Sequence, residues 1–268
     1  NEMRDVTGSN TYYGGSYDEG EAHCHPLNYA LGIAKAAISA GAKIFENSPA
    51  LSYKINDDHV KVITKDGSIK ADRVVLACNG YLGNLEKSLT SKILPMNNYI
   101  VATEALDDQT VKKINPRDIA FADSRFVINY FRLSADKRLL FGGGENYSQE
   151  LSNNIIPIVT KPLEKIYPFL KGVKIDYAWG GKLAITMNRL PFFTTLHQDK
   201  IISAQGYSGQ GVALASYSGK LVSEKITGNG ETFDIMAKIP RQSFPGGRFL
   251  RNPSMKLGML YYSLMDRL

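Results

Sequence analysis

The chain has 268 residues and 43% hydrophobic content, enough to bury one large core or two interleaved ones. Its net charge of +6 raises nucleic acid as a partner, but six Lys or Arg and one Asp lie between Lys238 and Leu268, so the excess sits in the tail and the body is nearly neutral. No apolar run of about 18 residues could cross a membrane.

The start, NEMRDVTGSNTYYGG, carries no basic segment followed by an apolar one, and its first residue is not Met, so further residues upstream are expected. Cys24 and Cys78, far apart, fit a reduced, cytoplasmic setting. Residues 26 to 40 open with Pro26 and carry apolar residues at 27, 30, 31, 34, 37 and 38, which predicts a helix stopped by Gly41. AKIFEN reads as a short strand. ALSYKI, VKVITKDGSIKA and RVVLACNG read as a small meander with Asp66-Gly67 as its hairpin turn. VVLAC is a continuous apolar run, as in a strand buried on both faces.

From about residue 93 the chain becomes rich in strands, Tyr and Phe, which predicts an antiparallel sheet crossed by one helix, NNIIPIVTKPLEKIYPFL. A buried strand at 200–204 then leads into a loop with Gly206, Gly209 and Gly211, followed by a helix. The tail, KIPRQSFPGGRFLRNPSMKLGMLYYSLMDRL, is basic and aromatic. Without a nucleic-acid motif it reads as an extended strap with solvated charges.

His23, Cys24 and His25 are metal-ligating types, but adjacent residues on an extended strand point to opposite sides, and only His59 and His197 remain elsewhere, so no metal site is expected. There is no G-x-S-x-G, H-E-x-x-H or G-x-x-x-x-G-K-[ST], which leaves hydrolase and nucleotide-hydrolysing chemistry without support. Glycines at 206 to 211 let backbone amides approach a planar or anionic group, with the positive end of the following helix aimed at it. Taken alone, the loop is equally a tight turn. LACNGYLG (76–83), a buried strand ending in small residues before a glycine, is where α/β sheets bring ligands.

These motifs in series, HPLNYALGIAKAAISAGAKIFENSPAL, LACNGYLG, WGGKLAITMNRLP and GYSGQGVALASYSGKLVSE, resemble the FAD-dependent oxidoreductases of the D-amino-acid oxidase superfamily, and among them the gamma-glutamylputrescine oxidase type. The resemblance covers essentially the whole chain. That family opens with a βαβ unit carrying G-x-G-x-x-G, which this sequence lacks, so the chain resembles the C-terminal two thirds of such a protein.

The resemblance implies a mixed α/β and α+β fold: an incomplete, Rossmann-like FAD-binding domain at 12–92 and 179–235, a substrate domain at 1–11 and 93–178, and a tail at 236–268. Ala50 would contact the adenine side, and Ala77, Cys78, Asn79 and Gly80 would lie beside the dinucleotide. Gly206, Tyr207, Ser208, Gly209, Gln210, Gly211 and Val212 would sit against the flavin. Tyr130, Arg132, Trp179 and Tyr207 are candidates for the substrate pocket, with ordinary sheet packing as the other reading.

The chemistry implied is hydride transfer from the carbon beside an amine to the flavin. Amino-acid-oxidising members place a carboxylate-binding Arg where Leu183 stands, which favours an amine substrate. Two functions follow: a flavoenzyme of which this chain is a fragment or one half of a split pair, with an N-terminal half as partner, or a non-catalytic remnant that folds without FAD.

Overall fold

The computed structural model describes residues 2–125, 127–146 and 150–247, together with 250, 253, 257 and 258. Its elements run α1 (Glu2–Thr7), α2 (Pro26–Ser39), β1 (Ser52–Ile55), β2 (Val60–Ile63), β3 (Ser68–Ala71), β4 (Val74–Leu76), α3 (Lys87–Thr90), β5 (Leu94–Ala105) and α4 (Asp108–Ile114). They continue as β6 (Phe121–Ala122), β7 (Tyr130–Leu133), β8 (Arg138–Asn146), α5 (Ile156–Ile166), β9 (Ile175–Ile185), β10 (Phe192–Leu196), β11 (Ile201–Gln205), α6 (Gly211–Ile226) and α7 (Glu231–Ala237). One compact unit is drawn from Asn1–Tyr29 and Asn97–Gly181. The other comes from Ala30–Met96 and the described residues from Lys182 to Gly247.

The first unit holds a five-stranded sheet in the order β6-β7-β8-β5-β9, with β6/β7, β7/β8 and β5/β8 antiparallel. Phe131 on β7 stands opposite Phe141 on β8, and their rings stack at 5.4 Å. Tyr167 meets Phe131 edge-on at 5.7 Å. The expected cross-helix is α5. It buries Val159, Leu163 and Ile166, an i, i+4, i+7 stripe, in the core with Tyr99, Val101 and Phe141. A helix outside the sequence expectation, α4, carries its own signals: Asp107 takes the Thr110 N–H at 2.9 Å, and Lys112 and Lys113 close the last turn.

The second unit has two sheets. β1-β2-β3 is an antiparallel meander with the Asp66-Gly67 hairpin as expected. β4 leaves that meander and pairs with β11 in parallel, Ile201 against Val74 through Ser203 against Leu76, while β10 joins β11 antiparallel. The two buried strands read from the sequence thus share one sheet. One of its faces packs on Leu76, Leu82, Leu89 and Ala184. The other packs under α6 and α7 through Phe193, Ile202, Leu221 and Phe233.

Helix α2 forms where the spacing predicts, and Gly41 at φ +93° ends it. None of its fourteen residues is buried. AKIFEN is not a strand: residues 42–47 run as coil and turn, because a strand exists only through hydrogen bonds to a neighbour and none of the described residues supplies one. The first part of the tail packs on the second unit, with Phe244 buried and the Arg241 guanidinium donating to Thr194 Oγ1 at 3.0 Å. Most of the remaining tail lies outside the described residues.

Candidate functional site

Parallel pairing of β4 and β11 brings two loops to the same end of one sheet. After β4 the chain passes Ala77 and Cys78 into a 3-10 turn at Asn79–Tyr81. Asn79 adopts a left-handed φ of +46°, which Asn tolerates better than most residues, and its side-chain Oδ1 accepts the Gly206 N–H at 3.1 Å. A side chain on Gly80 would lie 2.7 Å from the Lys182 carbonyl oxygen, so only glycine fits there. The Lys182 N–H also donates to the Tyr81 hydroxyl at 3.0 Å.

After β11 the glycine loop is held from beneath. Gly206 has φ +77°, and a Cβ there would meet Thr186 Cγ2 at 2.5 Å. The Ser208 N–H donates to the Ala184 carbonyl at 2.9 Å, and Ser208 Oγ accepts the Thr186 N–H at 3.2 Å. The Gln210 N–H closes the turn onto the Tyr207 carbonyl.

Above the loop is open space. Gly209, φ +99°, is exposed and a Cβ there would meet no atom. Helix α6 then begins at Gly211 with Gln210 as a cap that makes no side-chain hydrogen bond, and its first turn holds no acidic residue. The loop therefore presents an open glycine face and the uncapped N–H groups of a sixteen-residue helix. These features fit a planar ring with acceptor atoms along one edge.

Of the other residues expected beside a cofactor, Ala50 lies on the exposed stretch leading into β1, and Ala77, Gln210 and Val212 are exposed around the two loops. Cys78 is half-buried, and burial pushes its thiol up, away from thiolate chemistry. Tyr207 is buried. Its hydroxyl donates to the Ala204 carbonyl at 2.9 Å, and burial raises its phenol, so the ring braces the loop from within.

The remaining pocket candidates belong to the first unit. Tyr130 lies flat on Gly142, where a Cβ would come within 2.1 Å of its ring, and its hydroxyl is bonded to Asn98. Arg132, two residues on and on the same face of β7, donates to the Leu133 and Cys24 carbonyls at 3.0 and 2.8 Å. Trp179 on β9 is 44% exposed.

Leu183 packs with Leu94, Met96, Ile185 and Phe244. It is partly buried there. The His-Cys-His run has structural partners: His23 Nε2 bonds the Asp118 carbonyl at 3.0 Å, and the Asn28 N–H donates to His25 Nδ1 at 3.3 Å, at the start of α2. No three potential metal ligands gather among the described residues.

Two positions escaped the sequence reading. Gly180 of the W-G-G run lies against Tyr99, where a Cβ would come within 2.7 Å of the ring. Gln205, the residue before the loop, is fully buried, and neither its Nε2 nor its Oε1 finds a hydrogen-bond partner among the described residues. Gly180 lies in a motif the sequence singles out, but nothing local marks Gln205.

Among solved structures, the chain is similar to glycine oxidase from Bacillus cereus ATCC 14579, with TM-score 0.64 and 19% identity over 79% of this chain and 58% of that one. It is also similar to L-proline dehydrogenase from P. horikoshii, with TM-score 0.61 and 24% identity over 75% and 55%. That likeness defines the fold as the one these two proteins share.

The FAD dependent oxidoreductase (DAO) family matches residues 1–225, and the chain belongs to that family. It is 39% identical over 260 residues to the probable oxidoreductase OrdL of Rhizobium meliloti (strain 1021), spanning 97% of this chain and 60% of that protein. It is 38% identical over 269 residues to the gamma-glutamylputrescine oxidoreductase of Escherichia coli (strain K12), spanning 100% and 63%. The chain thus spans about three fifths of the length of these curated relatives.

Proposed function

We propose that this chain is the flavin-ring-facing portion of an FAD-dependent oxidoreductase that oxidises the C–N bond of an amine, of the gamma-glutamylputrescine class. The observation that carries the reading is the loop Gly206–Gln210, open on its outer face and continuous with the uncapped start of α6, in a member of the FAD dependent oxidoreductase family.

Gly206, Ser208 and Gly209 with the first amides of α6 would hold the ring, and Asn79 and Gly80 would flank the dinucleotide. FAD, when bound, supplies hydride acceptance. The chain's own residues set position. Ala184 and Thr186 fix the loop through Ser208, Asn79 ties it to the β4 turn, and the positive end of α6 favours negative charge at the ring edge nearest it.

The amine class is supported by the 38% identity to the gamma-glutamylputrescine oxidoreductase and by Leu183 where amino-acid-oxidising members place an Arg. Without a G-x-G-x-x-G, the chain alone holds FAD weakly or not at all. Two free cysteines and the absence, among the described residues, of a helix long and apolar enough to span a membrane support a reduced, cytoplasmic setting.

The test is flavin absorbance per protein and amine-dependent flavin reduction in a protein that joins this chain to the part of the E. coli relative it does not match. Gamma-glutamylputrescine, glycine and sarcosine serve as substrates. Flavin reduction by gamma-glutamylputrescine over the two amino acids is expected. Full FAD occupancy without reduction by any of the three would refute the catalytic reading and leave the non-catalytic one.

A further inference from the structure

Ser208, in the middle of the glycine loop, sits at a left-handed φ of +50°, which a residue with a side chain keeps only when its surroundings impose it. The end of β9 imposes it. The Ala184 carbonyl takes the Ser208 N–H at 2.9 Å, and the Thr186 N–H donates to Ser208 Oγ at 3.2 Å. Thr186 is itself tied to the Leu190 carbonyl at 2.8 Å. The loop is therefore only as firm as the placement of residues 184–186.

Alternation along β9 turns Ala184 to one side of the strand and Leu183 and Ile185 to the other. Ala184 packs with Leu76, Leu82 and Phe192, whereas Leu183 and Ile185 pack with Leu94, Met96 and Phe244. Phe244 lies beyond α7 in a segment with no helix or strand of its own, yet it is buried. That segment is tied down along its length. The Pro240 carbonyl accepts the Asn188 side-chain amide at 3.2 Å, and Arg241 bonds Thr194 and lies over the Phe192 ring at 5.3 Å. Lys92 Nζ donates to Ser243 Oγ at 2.8 Å, and the Phe244 N–H donates to the Ser91 carbonyl at 3.0 Å. Coil held in this way is a strap and not a frayed end.

We propose that Phe244 is a positioning residue for the glycine loop, seated by the strap of residues 240–244. Its ring completes the small buried cluster behind Leu183 and Ile185, and so keeps the Ala184 carbonyl and the Thr186 N–H where Ser208 requires them. Truncating the ring would leave a gap that this cluster can close only by moving one of its members, and Ile185 lies between the two residues that hold the loop. The effect on flavin rests on the family reading above; the effect on the loop does not.

The test measures amide hydrogen exchange of the 268-residue chain in the parent, in Phe244→Ala and in the gentler Phe244→Leu. The parent is measured again in urea at the concentration that lowers its stability to that of Phe244→Ala, which separates a loosened loop from a chain that is merely less stable. Exchange at the Ser208 amide is expected to be faster by about tenfold or more in Phe244→Ala than in the urea-matched parent, with the Ile202 amide of β11 exchanging alike in both. Phe244→Leu, which keeps much of the apolar volume, should recover most of the protection. If Phe244→Ala does not fold, Phe244→Leu is read in the same way against a parent matched to it, with a rise of about threefold expected. In the protein joined to the unmatched part of the E. coli relative, Phe244→Ala should bind flavin about tenfold more weakly.

Ser208 exchange equal in the variant and its urea-matched parent would overturn the proposal and leave Phe244 as packing alone. So would flavin loss with the Ser208 amide still protected. Flavin also separates the two readings. A joined parent that takes up no flavin refutes the cofactor reading while the exchange result stands. Flavin held equally by parent and Phe244→Ala, with Ser208 loosened, keeps the strap and refutes placement of the ring on the loop.

Discussion

Replacing Gly206 and Gly209 one at a time by Ala separates what the protein demands of its glycine loop from what a ligand demands. Both residues sit at left-handed φ, +77° and +99°, so either substitution carries a backbone penalty of about 1 kcal/mol. At Gly209 that is all, because the added methyl meets no protein atom. At Gly206 the methyl would stand 2.5 Å from Thr186 Cγ2, and Thr186 cannot retreat freely, since its Oγ1 donates to the Leu190 carbonyl and its N–H to Ser208. Overpacking of this kind adds about 1–3 kcal/mol, for a total of about 2–4 kcal/mol.

Gly67, in the hairpin turn, has neither a left-handed φ nor a neighbour for its methyl, so Gly67→Ala should stay within about 0.5 kcal/mol of the parent. Urea unfolding of the chain followed by circular dichroism reads all three, and flavin absorbance in the joined protein reads the ligand. Gly209→Ala should lose flavin out of proportion to its small stability cost. A Gly209→Ala penalty equal to that of Gly206→Ala would refute the geometry, and full flavin retention in Gly209→Ala would refute placement of the ring on the loop.

In Gly142→Ala the methyl displaces the Tyr130 ring, and a loss of about 1–3 kcal/mol should appear as a lower thermal midpoint, with Tyr130→Ala suppressing most of the added effect. Gly32→Ala, in the exposed interior of α2 with nothing within reach of the new methyl, should raise helicity and stabilise by about 0.5–1 kcal/mol, read by far-ultraviolet circular dichroism. Burial acts to raise the Glu86 carboxyl, but hydrogen bonds from Ser88 and Tyr53 outweigh it and hold the pKa below its ordinary value. Its stabilisation is therefore present at neutral pH and lost as pH falls through that lowered pKa. The gap in thermal midpoint between parent and Glu86→Gln should close on acidification below the ordinary carboxylate range, and a gap independent of pH would remove Glu86 from the account.

The sequence made α2, α5 and the β4–β11 sheet legible because each carries its pattern locally: Gly41 after a 3.6-residue period, Val159-Leu163-Ile166, and two unbroken apolar runs. It misled at AKIFEN, whose strand-like composition needs a neighbour that the described residues do not offer. The helix α4 was readable from Asp107, Lys112 and Lys113, but a strand-rich surrounding outweighed those signals. At the loop, the glycines announced an unusual backbone without saying which of them faces protein. Thr186 under Gly206 and empty space over Gly209 are facts of tertiary packing, as are the Tyr207 hydroxyl turned onto Ala204 and the Leu183 side chain packed with Leu94 and Ile185. Gln205 left no trace, because an amide's lack of partners depends on everything around it.

The bond from Gly206 to Asn79 joins residues 127 positions apart in the chain. Closing so long a loop costs only slightly more entropy than closing one half its length, but it must happen before either turn has its final shape. The surface the two loops share is thus a late product of folding: neither the LACNGYLG segment nor the GYSGQG segment can mature alone, and a ligand that needs both arrives at a site that does not exist until β4 and β11 have met. A cut anywhere between the two would leave the amino acids of the site intact and its shape dependent on reassociation, so recovery of binding after such a cut should depend on concentration.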